Sequence, residues 1–270
     1  VARELKAHLD ALFVWPDPTE ALPYLGEGVS GQVIEEIMQA AKEAAADAAS
    51  AAKRNLAAAA AAAQVPVVTA AQGPGRASAR FIEFTGRLAD VVERASRLAD
   101  LVLFAEAKPE DSATAMVTIE AALVNAGRPV LVVPQDYKAA ELAKNVAIAW
   151  DGSVEAAHAV SAALPFLTLA GTVSILTVRT GPQQPGATGA ASPSAMLADY
   201  LTMHGVHAAE HILDARGRSV GQVLLEAAID AQAGLLVMGG YGHSRLREFI
   251  LGGTTRHIVT HAKLPVLMTH

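Results

Sequence analysis

Toward the C-terminal end of the chain, Leu235-Leu236-Val237-Met238 runs into Gly239-Gly240-Tyr241-Gly242, then nine residues, then Gly252-Gly253-Thr254-Thr255. A strand that empties into closely spaced glycines and then a hydroxyl-bearing helix start can cradle phosphate. Bare backbone N–H groups reach the anion, and the helix dipole favours its charge. A second constellation is Val146-Ala147-Ile148-Ala149-Trp150-Asp151-Gly152-Ser153, an apolar strand ending in an acid, a glycine and a hydroxyl. Asp151 stands where ligands bind in open α/β sheets, outside the carboxyl ends of strands. Taken alone, Asp151 or Ser153 is more simply read as the cap of the next helix. The end of a further strand, Val178-Arg179-Thr180, falls on the same edge, so three strand ends converge on one crevice.

Around the glycine loop, His243, Arg245, Arg247, Arg256, His257 and Lys263 are balanced only by Glu248, a basic field in an acidic protein. Cations there would offset ligand charge, although each one singly reads as well as part of a solvated helix face. Leu246, Phe249 and Ile250 at helical spacing predict a turn of helix between the two glycine clusters. His204, His207 and His211 suggest a metal, but Gly205 separates the first two and the third falls near a strand, so surface histidines are the preferred reading. The chain has no HExxH, no paired-carboxylate pattern and no G-x-S-x-G elbow, which leaves hydrolysis by protein side chains without support.

These residues need elements to hold them, and the composition supplies a core. The 270 residues are 52% hydrophobic and 18% charged, as in a globular protein of one large or two medium domains. A net charge of −6 and 4% aromatic residues argue against nucleic acid as a main partner. The absence of cysteine removes disulfides, thiolate zinc sites and cysteine nucleophiles together, and suits a reducing cytosol. No apolar run approaches the roughly 20 residues that span a bilayer, and no secretory signal is visible. The chain opens at Val1 without a methionine, so its true N-terminus is expected to lie upstream.

Strand-like runs at 11–15, 80–84, 101–104, 130–133, 146–150, 173–178, 210–213, 235–238 and 266–269 alternate with helix-period segments, the pattern of a parallel sheet covered by helices. A long helix is expected near 29–63 and a shorter one at 194–204; the stretch 181–189 has linker chemistry. The two halves repeat each other. Gly86-Arg87 leading to Asp100-Leu101-Val102 parallels Gly217-Arg218 leading to Gly234-Leu235-Leu236, and Arg128-Pro129-Val130 parallels Leu264-Pro265-Val266. A period near 135 residues signals duplicated domains, 1–138 and 139–270, the first lacking a strand equivalent to 146–150.

The strand ending in Asp151-Gly152-Ser153, together with Gly239-x2-Gly242-x9-Gly252, resembles the universal stress protein family in its tandem form. The resemblance implies two open, parallel-sheet, Rossmann-like domains of the adenine nucleotide alpha hydrolase type. They would pack about a pseudo-twofold axis through 130–133 and 266–269, with homodimers of whole chains as a further assembly. It implies a cytoplasmic regulator that binds ATP, or AMP or ADP, in the C-terminal domain, with magnesium or manganese accompanying the phosphates. Carried over by position, Asp151 contacts adenine, with Ala149 and Trp150 beside it, and Val178 borders the base. Met238 and Gly239 lie against the ribose; Gly242, His243, Gly252, Gly253, Thr254 and Thr255 form the phosphate part. Gly253 departs from the family pattern, which has Ser or Thr there, and Ala149-Trp150 stands where Pro-Val is frequent.

At the position of the glycine loop the first half reads Phe104-Ala105-Glu106-Ala107-Lys108-Pro109-Glu110-Asp111, without glycine and with three acids. Carboxylates repel phosphate and Cβ atoms obstruct the backbone, so the first half is expected to bind no nucleotide. Two other readings compete: a scaffold without ligand, and an adenylyl-transfer enzyme. The intact glycine spacing counts against the first. The poor match of Trp150-Asp151-Gly152-Ser153 to a Ser-Gly-Gly-rich loop counts against the second. Slow ATP hydrolysis would need a general base, and none is positioned by the sequence.

Overall fold

The computed structural model describes residues 1–16, 30–137, 142–179, 192–241 and 253–270, in two compact units, Val1–Val92 and Glu93–His270. The repeat boundary at 138/139 therefore falls inside the second unit.

In the first unit, β1 (His8–Trp15) pairs in parallel with β2 (Ser78–Thr85), register Ala11 to Phe81. The helix α1 (Gly31–Ala62) packs on both strands. Its sequence is rich in alanine, the best helix former, and Ser30 caps it by accepting from the Val33 N–H. Arg80 makes two hydrogen bonds to the Asp10 carboxylate, at 2.7 and 2.8 Å, and these hold the Asp10 carboxyl below its ordinary range. The helix α2 (Leu88–Ser96) crosses the division between the units.

The second unit carries a seven-stranded sheet in the order β3-β4-β9-β8-β5-β6-β7. Its strands are β3 (Val102–Ala105), β4 (Val130–Val133), β5 (Asn145–Ala149), β6 (Thr172–Arg179), β7 (Ala208–Asp214), β8 (Leu235–Gly239) and β9 (Val266–Thr269). Every expected strand is present, with bounds shifted by up to three residues. All pairs are parallel except β4 with β9, which run antiparallel with Leu131 opposite Leu267.

The partition of the strands differs from two separate repeat sheets. In the second half β5 lies between β8 and β6 and joins them. Among the described residues no first-half strand stands equivalent to β5; β3 and β4 continue the large sheet through β9, while β1 and β2 form their own.

The helices of the second unit are α3 (Ser112–Glu120), α4 (Val154–Leu167), α5 (Pro193–Met203), α6 (Val220–Asp230) and α7 (Gly253–His261). Right-handed crossovers put α4 and α5 on one face of the sheet and α6 and α7 on the other. Covered on both sides, the central strands read as continuous apolar runs. Ile148, Ile175, Leu235, Leu236, Leu267 and Met268 are fully buried. The chain leaves β5 toward β6 on one side and returns to β8 on the other. The order of connection therefore reverses between the parallel strands β5 and β8, and their carboxyl ends form the edge where open α/β sheets bind ligands.

No described helix is long and apolar enough to cross a membrane.

Candidate functional site

The candidate edge is built from the last rungs of β5 and β8. Ala149 is the register partner of Met238, and both side chains are buried, so only their backbone can border a ligand. Beyond the strand, Trp150 still donates its N–H to the Leu176 carbonyl at 2.9 Å, while its indole Nε1 donates to the Pro193 carbonyl at 3.0 Å. The indole thus fastens the start of α5 to the end of β5.

Asp151 follows, exposed at the carboxyl edge. Its Oδ1 accepts the Ser153 N–H at 2.9 Å, and Ser153 Oγ accepts the Ala156 N–H at 3.1 Å as the N-cap of α4. Gly152 between them adopts φ +77°, which a side chain would strain. The capping reading therefore holds for both residues, yet Asp151 spends only one oxygen on the turn. The carboxylate remains an acceptor open to solvent.

Gly239 ends β8 opposite Thr269, and the first turn of α4 crosses directly over it. A Cβ there would lie 2.7 Å from the Ala156 nitrogen and 2.9 Å from the Glu155 carbonyl carbon. Thr269 Oγ1 donates to the Glu155 carbonyl at 2.8 Å and locks the same turn onto β9. The glycine lets helix and strand approach, and so brings the Asp151 turn over the end of β8.

Residues 143–270, which contain this whole arrangement, match the model of the universal stress protein family. The C-terminal half belongs to the universal stress protein family. Across the whole chain the fold is similar to that of a universal stress protein from Archaeoglobus fulgidus DSM 4304. The identity is 18%, covering 97% of this chain and 85% of that one, with a TM-score of 0.62. A universal stress protein candidate from Pseudomonas aeruginosa UCBPP-PA14 is 14% identical, covering 100% of this chain and 95% of that one, with a TM-score of 0.50. No curated relative matches the sequence.

The rest of the universal stress protein site divides into placed and unplaced residues. Val178 is half-buried near the end of β6, paired with Leu213. Gly242, His243 and Gly252 lie outside the described residues, as do Arg245, Leu246, Arg247, Glu248, Phe249 and Ile250, and the stretch 181–189.

Gly253 opens α7, which starts on the carboxyl edge because it follows β8 and precedes the parallel β9. No acidic residue stands in its first turn, and among the described residues nothing lies within 4 Å of where a Gly253 Cβ would be. Of the two displaced hydroxyls, Thr255 is buried and Thr254 is half-exposed, so Thr254 is the one available to an anion. Gly253→Ser is accordingly expected to fold normally. It should tighten ATP binding about threefold by adding a hydroxyl at the helix start, as read by titration calorimetry; weaker binding would place the phosphates elsewhere.

The basic field is partly committed to packing. His257 lies against Gly221 of α6 and stacks on His261 at 4.3 Å, and Lys263 Nζ stands 4.0 Å from Glu106 Oε1. Among the described residues no group of three His, Asp or Glu side chains could hold a metal ion; His204 instead packs against the Tyr200 ring at 4.7 Å.

The first half presents different chemistry at the equivalent place. After β3 the chain passes Glu106, makes a 3-10 turn at Pro109–Asp111 and enters α3 with Asp111 as its N-cap residue. Glu110 and Asp111 thus stand just before α3, whose own first turn, like that of α7, carries no acid.

Sequence reasoning passed over Tyr241 and Thr177. Tyr241 adopts φ +62° among glycines, and its hydroxyl is buried with no hydrogen-bond partner among the described residues. Burial, with a smaller contribution from the Glu120 charge, pushes its pKa up to about 12. Thr177 Oγ1, two residues before the end of β6, is likewise buried and unpartnered. A tyrosine between glycines reads in sequence only as loop.

Proposed function

We propose that the C-terminal half binds ATP or a related adenine nucleotide and that the chain acts as a stress-response regulator in the cytoplasm. The observation that carries this reading is the pairing of chemistries at one sheet edge. An open carboxylate acceptor, Asp151, follows β5, and a helix whose first turn carries no acid begins at Gly253. The first suits the exocyclic amine of adenine, and the second suits phosphate.

The residues present fit such a ligand. Gly253 is exposed and carries no Cβ over the first N–H groups of α7, and Thr254 supplies a half-exposed hydroxyl. Magnesium or manganese would come with the phosphates, since no carboxylate stands in the first turn of α7. Among the described residues nothing on this edge is placed as a general base, which favours binding over turnover. The first half carries acids just before the corresponding helix, and its last strand pairs with β9; this suits a structural partner within the chain, an internal pseudo-dimer, better than a second nucleotide site.

Titration calorimetry of the protein with ATP, ADP and AMP tests the reading. Saturable heat with at least one of them is expected, and absence of heat with all three would leave the scaffold role.

A further inference from the structure

The exit of β8 touches more than its own half. A Cβ built on Gly240 would lie 3.4 Å from Leu123 Cδ2, so Leu123 covers the backbone at the point where the glycine loop begins. Leu123 is fully buried and belongs to a π-helical turn, Ala121–Asn125, that continues α3. Such turns are rare and cluster at functional sites, because the wider ring displaces a side chain from the regular helical position. Here the displaced segment is the one that reaches the second half.

Immediately beyond, Tyr241 takes the left-handed conformation, which a residue with a Cβ adopts only when its surroundings hold it there. Its ring meets the His270 ring edge-on at 6.3 Å; His270 Nδ1 is 3.4 Å from the Gly240 carbonyl, and Gly240 N–H donates to the Thr269 carbonyl at 2.7 Å. The raised pKa of Tyr241 agrees with the burial of its hydroxyl, with a smaller contribution from the charge of Glu120 at the end of α3.

Resting on the nucleotide-binding reading above, we infer that Leu123 of the N-terminal half is a positioning residue for nucleotide binding by the C-terminal half. It lies against Gly240 and so supports the left-handed turn at Tyr241.

The test compares Leu123→Ala, Leu123→Met and Gly240→Ala with the unmutated chain, and uses Leu167→Ala, buried at the far end of α4, as a control for loss of core alone. ATP affinity is read by calorimetry, and amide hydrogen exchange at 239–241 is read without nucleotide. Leu123→Ala should weaken ATP binding about five- to tenfold and speed exchange at Gly240 and Tyr241. Leu123→Met should restore both, and Leu167→Ala should lower the melting temperature while leaving affinity and local exchange alone. Gly240→Ala would bring its methyl group to ordinary contact distance from Leu123 Cδ2, 3.4 Å, and should leave affinity and exchange near those of the unmutated chain. Unchanged affinity and exchange in Leu123→Ala would overturn the inference. If Leu123→Ala does not fold, Leu123→Val, which removes less of the same side chain, takes its place, and unchanged affinity and exchange there would do the same. If the unmutated chain binds no nucleotide, the functional reading fails first, and the exchange arm then decides separately whether Leu123 holds the turn.

Discussion

Gly239→Ala is expected to lower the melting temperature by about 4–8 °C and to weaken ATP binding at the same time. Gly239 has no unusual φ, so the penalty comes from space alone. Its new methyl group would lie 2.7 Å from the Ala156 nitrogen and 2.9 Å from the Glu155 carbon, both backbone atoms of a helix that cannot turn aside. Overpacking of this kind costs about 1–3 kcal/mol, and in a domain of this size about 2 kcal/mol corresponds to the stated shift. Relief requires α4 to lift from β8, and the Asp151-Gly152-Ser153 turn leads straight into α4. Stability and affinity should therefore fall together. Thermal unfolding followed by circular dichroism, with calorimetry on the folded protein, measures both. A melting temperature unchanged within 1–2 °C would mean that the close approach at Gly239 does not bear on the fold.

The framework was legible because its signals are local. The alternation of apolar runs and helical periods located the strands of the sheet, and the buried runs at Val146, Leu235 and Val266 are uninterrupted in the sequence as they are in the core. The partition into sheets was not legible in periodicity, because it depends on which edges find partners; the meeting of β4 with β9, residues far apart in the chain, was expected only from the family resemblance, through 130–133 and 266–269. The candidate site shows the same limit. Ser153 as a cap follows from residue type and position. That Gly239 serves helix packing, that Met238 presents only backbone, and that Leu123 reaches Gly240 are facts of packing. A glycine motif in sequence does not say which glycine faces a ligand and which faces a neighbour.

Asp151 separates those roles, and Asp151→Asn is expected to keep the fold while weakening ATP binding about tenfold or more. Asparagine retains a carbonyl oxygen that can accept the Ser153 N–H as Oδ1 does now at 2.9 Å, so the turn and the α4 cap survive. What changes is the outward group. The carboxylate offers only acceptors, whereas the amide would turn an NH2 toward the ligand. The exocyclic amine of adenine donates, so a donor would face a donor and one buried polar group would lose its partner. Guanine carries an acceptor at the corresponding position, so the same substitution should shift preference from ATP toward GTP. Asp151→Ala supplies the contrast: it loses the turn contact as well and should melt lower than Asp151→Asn. Calorimetry with ATP and GTP on both variants tests the assignment. Equal ATP affinity in the unmutated chain and in Asp151→Asn would show that Asp151 serves the turn alone and that the base is recognised elsewhere along the edge.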